Sequence, residues 1–253
     1  AIVGLEVLKN SPPDGYTIAA ASAGPLAVNP HIYRKLAYDP LRDFTAIGGL
    51  VNFPLLLVAH PSLPVKNIKE LIALAKTRPG EITYSSPGAG NSGHLTAELF
   101  DYMAKTKMTH VPFKGSAAGI VANLSGEVQV GFGTLFGVRP HMQTNRLRVI
   151  AITASKRSPA VPDIPTVSES GIPGYSVDQM YGIIGSAKIP KPIINKINAG
   201  IVVALKDPEV IKKLNADGST PVGSTPEAYT ATIRAEVDKW RKLAKAAKLE
   251  LHF

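Results

Sequence analysis

The sequence predicts an α/β protein built mostly on parallel sheets. Short β-rich runs alternate with helical patterns almost throughout the 253 residues, the order expected of strands linked by crossover helices. One junction, Ile82–Leu95, runs from a strand through a glycine- and serine-rich turn straight into a helix. Hydrophobic residues make up 45% of the chain, yet no apolar run approaches the ~20 residues of a membrane span. That hydrophobic share belongs in a core, and the chain is long enough for one large domain or two smaller ones.

The elements follow in order. Ala1–Lys9 reads as a helix, and Pro12-Pro13-Asp14-Gly15 turns it into a strand at Tyr16–Ala20. No capping residue stands before that helix, so residues are expected to precede it. No basic n-region or cleavage pattern marks a signal peptide in Ala1–Asn10. Strands follow at Thr45–Leu50 and Leu55–Ala59. Ile68, Leu71, Ile72 and Ala75 keep the i, i+3, i+4, i+7 spacing of a helix. The strand Ile82–Ser85 leads through the glycine-rich turn to a helix with Leu95, Leu99, Tyr102 and Met103 on one face. Thr109–Pro112, Val128–Phe132, Arg148–Thr153 and Tyr181–Ile184 are the remaining strands. Between the last two, prolines alternate with Val161, Ile164, Val167 and Ile172, which predicts an ordered but irregular connector over Ser158–Tyr175. Asp207 caps a helix with Pro208 in its first position and Gly218 past its end. Ser224 and Glu227 form a capping box around Pro226. The helix beyond it buries Tyr229, Ile233, Val237, Trp240 and Ala244 as one stripe. No repeat or low-complexity tract is present.

Several function classes fall away on composition. The chain has no cysteine, which excludes disulfides, thiolate catalysis and sulfur-ligated metals. No spacing of His, Asp and Glu suggests a metal, and no cofactor is expected. The formal charge is +9, and its densest group is Lys239, Arg241, Lys242, Lys245 and Lys248. These read as a solvated helix face. Nucleic acid binding needs a basic face interleaved with aromatics, and aromatics are only 6% of the chain. A positive field does suit attraction of small anions.

The glycine-rich turn carries the chemistry. A strand running into a helix leaves unpaired N–H groups at the helix start, a ready anion site. Gly88, Gly90 and Gly93 spell G-x-G-x-x-G, the dinucleotide fingerprint. That fingerprint needs an acid at the end of the next strand, and Thr109-His110-Val111-Pro112-Phe113 has none. Ser92 sits in a near match to the hydrolase G-x-S-x-G, with the last glycine displaced by one. His94 is too close in sequence to serve it easily as base. Lys114-Gly115-Ser116 inverts the order of a phosphate loop. A binding site is the leading reading beside a plain helix cap, with an NAD(P)-binding oxidoreductase using Gly88, Gly90 and Gly93 and a serine hydrolase using Ser92 as alternatives. For binding, the hydroxyls of Ser85, Ser86 and Ser92 and the N–H groups around Asn91–His94 suit a carboxylate.

Along the chain stand Asp14-Gly15-Tyr16-Thr17, Asp43-Phe44-Thr45-Ala46-Ile47-Gly48, and the glycine-rich turn ending in His94-Leu95-Thr96-Ala97-Glu98-Leu99-Phe100. To these are added His110-Val111-Pro112-Phe113-Lys114-Gly115, Leu147–Thr153, Lys156-Arg157-Ser158, Pro162–Val167, Asp207–Val210 and Ser224–Glu227. In these landmarks, their order and their spacing, the chain resembles the Bug-type (TctC-like) periplasmic solute-binding proteins of tripartite tricarboxylate transporters. The resemblance implies a two-domain periplasmic-binding-protein fold of type II-like architecture, with a cleft that closes on a small organic carboxylate. The expected division is 1–59 with 149–253 in one domain and 60–148 in the other. It implies capture rather than catalysis, a membrane transporter as partner, a monomer and a periplasmic location. Ser86, Gly90, Asn91, Ser92, Gly93 and His94 carry over as one grip on the ligand. A second grip, a proline- and glycine-rich loop after the family's first strand, would precede this sequence. In such a fold the strand ends at Ser22-Ala23-Gly24 and Gly133-Thr134 also face the ligand. Gly133 departs from the family, where Asp is common, and that favours a bulkier or less polar acid over an amino acid.

Overall fold

A computed structural model describes residues 2–247. The chain divides into two compact units. The first takes in the segment before Phe53, Met180–Asn215 and the segment from Ser219 onward; the second is Phe53–Gln179 with Ala216–Gly218.

The first unit opens with α1 (Ile2–Lys9), β1 (Ile18–Ser22), a π-helical turn at Gly24–Val28, α2 (Asn29–Ile32) and β2 (Phe44–Pro54). The second unit follows with β3 (Leu56–Ala59), α3 (Ile68–Thr77), β4 (Thr83–Ser86), α4 (Ser92–Ala104), β5 (Thr109–Pro112), α5 (Ser116–Ser125), β6 (Val130–Gly133), α6 (Leu135–Gln143) and β7 (Arg148–Ile152). The chain returns through β8 (Asp178–Ser186), α7 (Lys191–Leu205), α8 (Pro208–Ala216), β9 (Thr220–Pro221) and α9 (Pro226–Ala247).

The α/β expectation is met, but the sheets are mixed rather than mostly parallel. The second unit's sheet has the order β5-β4-β6-β3-β7. Each crossover through α4 or α5 returns the chain in the same direction, so β4 pairs in parallel with both β5 and β6. β3 is reversed between β6 and β7 and pairs antiparallel with each. The first unit's sheet has the order β1-β8-β2-β9, with β1–β8 and β2–β9 antiparallel. The units also divide elsewhere than at 59/60 and 148/149. β3 and β7 belong to the second sheet and carry the boundary out to β2 and β8.

The first unit packs Leu5, Leu8, Leu26, Phe44, Met180 and Tyr229 into one cluster. The α9 stripe is as expected, with Tyr229, Ile233, Trp240 and Ala244 buried. The cap of α9 lies one residue later than expected. Thr225 Oγ1 accepts from Ala228 N, whereas the Ser224 hydroxyl accepts from Gly49 N in β2. Asp207 caps α8 as expected, its Oδ1 accepting from Glu209 N and Val210 N. In the second unit, Tyr175 is fully buried in the irregular connector and its hydroxyl donates to Thr96 O of α4 at 2.8 Å. That contact anchors α4 against the sheet. α4 is buried on more than one side, through Leu95, Ala97, Phe100 and Ala104, while Tyr102 is 49% exposed instead of facing inward.

Candidate functional site

The parallel strands β4, β5 and β6 end along one edge of the second sheet. Ser86 of β4 lies in register with Pro112 of β5, and Ser85 with Gly131 of β6. Past Ser86 the chain turns through Pro87–Gly90 and enters α4. Gly88 has φ +136° and Gly90 φ +73°, conformations that a side chain resists. Asn91 caps α4 by accepting from Ser92 N at 2.6 Å. Leu95 N reaches Asn91 O. The amides of Gly93 and His94, between them, belong to the first turn and have no intrahelical partner. Gly93 lies close under the turn: a Cβ there would stand 3.0 Å from Pro87 Cδ and 3.6 Å from Phe132 O.

The hydroxyls expected to hold a ligand are engaged within the protein. Ser85 Oγ donates to Asn123 Oδ1 at 2.6 Å. Asn123 is buried on α5 and its amide donates to Val128 O and Val130 O, so it ties α5 to β6 and β4 together. Ser86 Oγ donates to Gly88 O, accepts from Gly88 N, and lies 2.6 Å from His110 Nε2. Ser92 Oγ donates to Asn91 Oδ1 at 3.0 Å. The sequence pattern counts hydroxyls; it does not show which neighbours take their protons.

His94 keeps its side chain within the turn. The residue is 6% exposed, and Nδ1 accepts from Gly90 N at 3.1 Å. The ring therefore faces back into the turn. It stacks on His110 with centroids 4.1 Å apart, and His110 stacks on Tyr84 at 5.0 Å. Tyr84 hydroxyl donates to Glu98 Oε1 at 2.6 Å, and His94 Nε2 lies 3.7 Å from the same oxygen. Burial pushes both imidazoles down to about 4, the neighbouring His94 adding to the effect at His110. Both rings are thus neutral near neutral pH, and burial raises the Tyr84 phenol far above its usual range.

Beside the turn lies a small open pocket of about 20 Å³, room for a water, lined by Ser86, Ser116, Gly119, Ile120, Phe132 and Gly133 among others, none of the lining side chains being charged. α5 comes close here because Gly119 has no side chain; a Cβ would lie 3.4 Å from Ser85 Oγ. Gly133 ends β6, and the space its side chain would take is filled by Val138 Cγ2. Thr134 caps α6 by accepting from Gly137 N. Ser22, Ala23 and Gly24 lie at the end of β1 in the first unit, as expected of a strand end. Ala23 is a member of that unit's core cluster and Gly24 is buried at the start of the π-helical turn.

Sequence reasoning missed His110, Asn123 and the α5 face. His110 carried a signal only in retrospect, since it stands in register with Tyr84. Ser116 and Gly119, small residues three apart, are the sequence trace of the close α5 approach. The arrangement offers main-chain donors at a helix start and an uncharged pocket. It offers no activated nucleophile, because Ser92 is bonded to Asn91 and the His94 Nδ1 to Gly90. β5 brings no carboxylate for a ribose, so neither alternative reading is supported.

Residues 1–249 match the family described as tripartite tricarboxylate transporter family receptor (TctC). Among solved structures, Rpa4515 of R. palustris with adipate is 32% identical with TM-score 0.91, covering 97% of this chain and 82% of that one. The periplasmic binding protein BugD is 27% identical with TM-score 0.90, covering 98% and 84%. MatC of Rhodopseudomonas palustris with bound malate is 26% identical with TM-score 0.88, covering 96% and 83%.

Proposed function

The chain belongs to the tripartite tricarboxylate transporter receptor family, and from that premise we propose that it captures a small organic carboxylate in the periplasm. The observation that carries the reading is the start of α4. The amides of Gly93 and His94 are free of intrahelical acceptors at the positive end of a 13-residue helix. An anion placed there gains charge-assisted hydrogen bonds without needing a cationic side chain.

The remaining residues shape that capture. Gly88 and Gly90 allow the turn its left-handed backbone, and Asn91 fixes where the helix begins. Gly93 lets Pro87 and the end of β6 pack closely against the start of α4. Gly133 lines the small pocket at the end of β6, whose uncharged lining sets no like charge against the acid. No group in the site is poised for bond making, so the protein binds and releases its ligand unchanged. It acts as a monomer that delivers the acid to the membrane components of the transporter. Adipate and malate, bound by two similar proteins, head the panel of acids to test.

A thermal-shift screen of mono- and dicarboxylates checks the reading. Binding to the native state alone raises Tm, by about 2.7 kcal/mol of added stability at a hundredfold excess over Kd. NAD should leave Tm unchanged. A panel in which no acid raises Tm would overturn the proposal.

A further inference from the structure

Two imidazoles, His94 buried and His110 half-buried, lie under the turn with ring nitrogens engaged by the protein. His94 reaches back from the first turn of α4, and its Nδ1 accepts the Gly90 N–H at 3.1 Å. That nitrogen carries no proton, since it receives one. His110 comes from β5 and its Nε2 shares a 2.6 Å hydrogen bond with Ser86 Oγ. The same oxygen both accepts from Gly88 N and donates to Gly88 O. The rings stack at 4.1 Å with 25° between planes, and Tyr84 backs His110 on its other face at 5.0 Å. Each glycine of left-handed φ in the turn is therefore tied to one imidazole, Gly90 directly and Gly88 through Ser86.

Glycines have no side chains to hold them, and their freedom is the largest of any residue. A turn with two of them samples many conformations unless something else restrains it. Every conformation but one aims the amides that follow it elsewhere, and a ligand that must order the turn binds correspondingly more weakly.

We propose that His94 and His110 are positioning residues: stacked beneath the turn, they hold Gly90 and Gly88 in the backbone conformation that aims the Gly93 and His94 amides at the carboxylate. This rests on the carboxylate reading above. The imidazoles act through the main chain, and neither ring touches the ligand.

The test uses the whole protein and the panel acid that most stabilises the wild type. His94→Phe keeps a stacking ring but removes the acceptor. His94→Asn places a carbonyl oxygen near the position of Nδ1. The expected calorimetric result is affinity about tenfold weaker in His94→Phe, the size of one residue's ordering, and near wild type in His94→Asn. In the ligand-free proteins, the Gly90 amide should exchange slowly with solvent in the wild type and His94→Asn, and quickly in His94→Phe. Should His94→Phe fail to fold, His94→Gln replaces it, since its carbonyl falls at the Nε2 position and leaves Gly90 unheld. Wild-type binding that survives unchanged without the acceptor overturns the inference and leaves the carboxylate reading standing. So does an Asn variant as weak as Phe or Gln. If the wild type binds no panel acid, the reading falls and the inference falls with it.

Discussion

Gly93 separates binding from folding more cleanly than any other position in the turn. A side chain there meets Pro87 on one side and the Phe132 carbonyl on the other. In Gly93→Val the added methyls press on Pro87 and Ser86 and displace the turn that aims the Gly93 and His94 amides. The expected outcome is carboxylate affinity reduced at least tenfold, with a smaller proportional loss in Tm. Equal loss of both would make the turn a plain helix cap. Asn123 should behave in the opposite way. Its side chain makes three buried hydrogen bonds, and Asn123→Ala strands Ser85 and two carbonyls. About 1–3 kcal/mol of stability should be lost, read as a lower urea midpoint. The imidazoles add a dependence on acid. His94 faces His110, Tyr84 and Glu98. Unfolded, each histidine titrates at its ordinary 6.5; folded, at about 4. Between those values the unfolded chain holds more protons, so stability is full above about pH 6.5 and declines as pH falls toward 4. Denaturation midpoints across that range check it, and His94→Asn should flatten part of the slope.

The strand, turn and helix around the site were legible because their signals are local. Glycines at the turn and apolar periodicity each act over a few neighbouring residues. The α9 stripe and the Asp207 cap were legible for the same reason. What was not legible is held by partners far apart in sequence. Ser86 and His110 are separated by 24 residues, and Ser85 and Asn123 by 38. No sequence pattern reports which hydroxyl will find which acceptor across a sheet. Tyr102 failed in another way: it satisfies the helical period but lies at the margin of the buried arc, where Asp101 instead turns inward to hold Met108 N and Thr106. The cap of α9 shifted because Ser224 was drawn to Gly49, leaving Thr225 to receive the helix amide. Thr225→Ala should therefore destabilise the protein by about 1 kcal/mol, the usual cost of a lost cap, measurable by chemical denaturation.

For the molecule entire, charge was readable and topology only in part. The formal charge of +9 favours the approach of anions over cations. Stopped-flow association of a panel dicarboxylate should slow as salt rises, and more steeply than for a monocarboxylate of the same chain length. Rates indifferent to salt would remove the charge from any part in capture. Alternation of strands and helices announced the α/β class, but strand direction depends on which neighbours a strand chooses. The reversed β3 has no signature in its own residues, and the unit boundary moved with it.

That boundary has a consequence for how the chain assembles. The second unit is nearly one continuous stretch, Phe53–Gln179, while the first is composed of pieces on either side of it. Val51 of β2 must find Pro221 of β9, so the first sheet closes only after the intervening chain has been made. Closing so long a loop is slow while it is unstructured. A folded second unit draws the ends together and shortens the search. During synthesis the order is therefore set: the unit that holds the glycine-rich turn is complete before its partner can be, and the amides of α4 are in place while β9 and α9 are still being made.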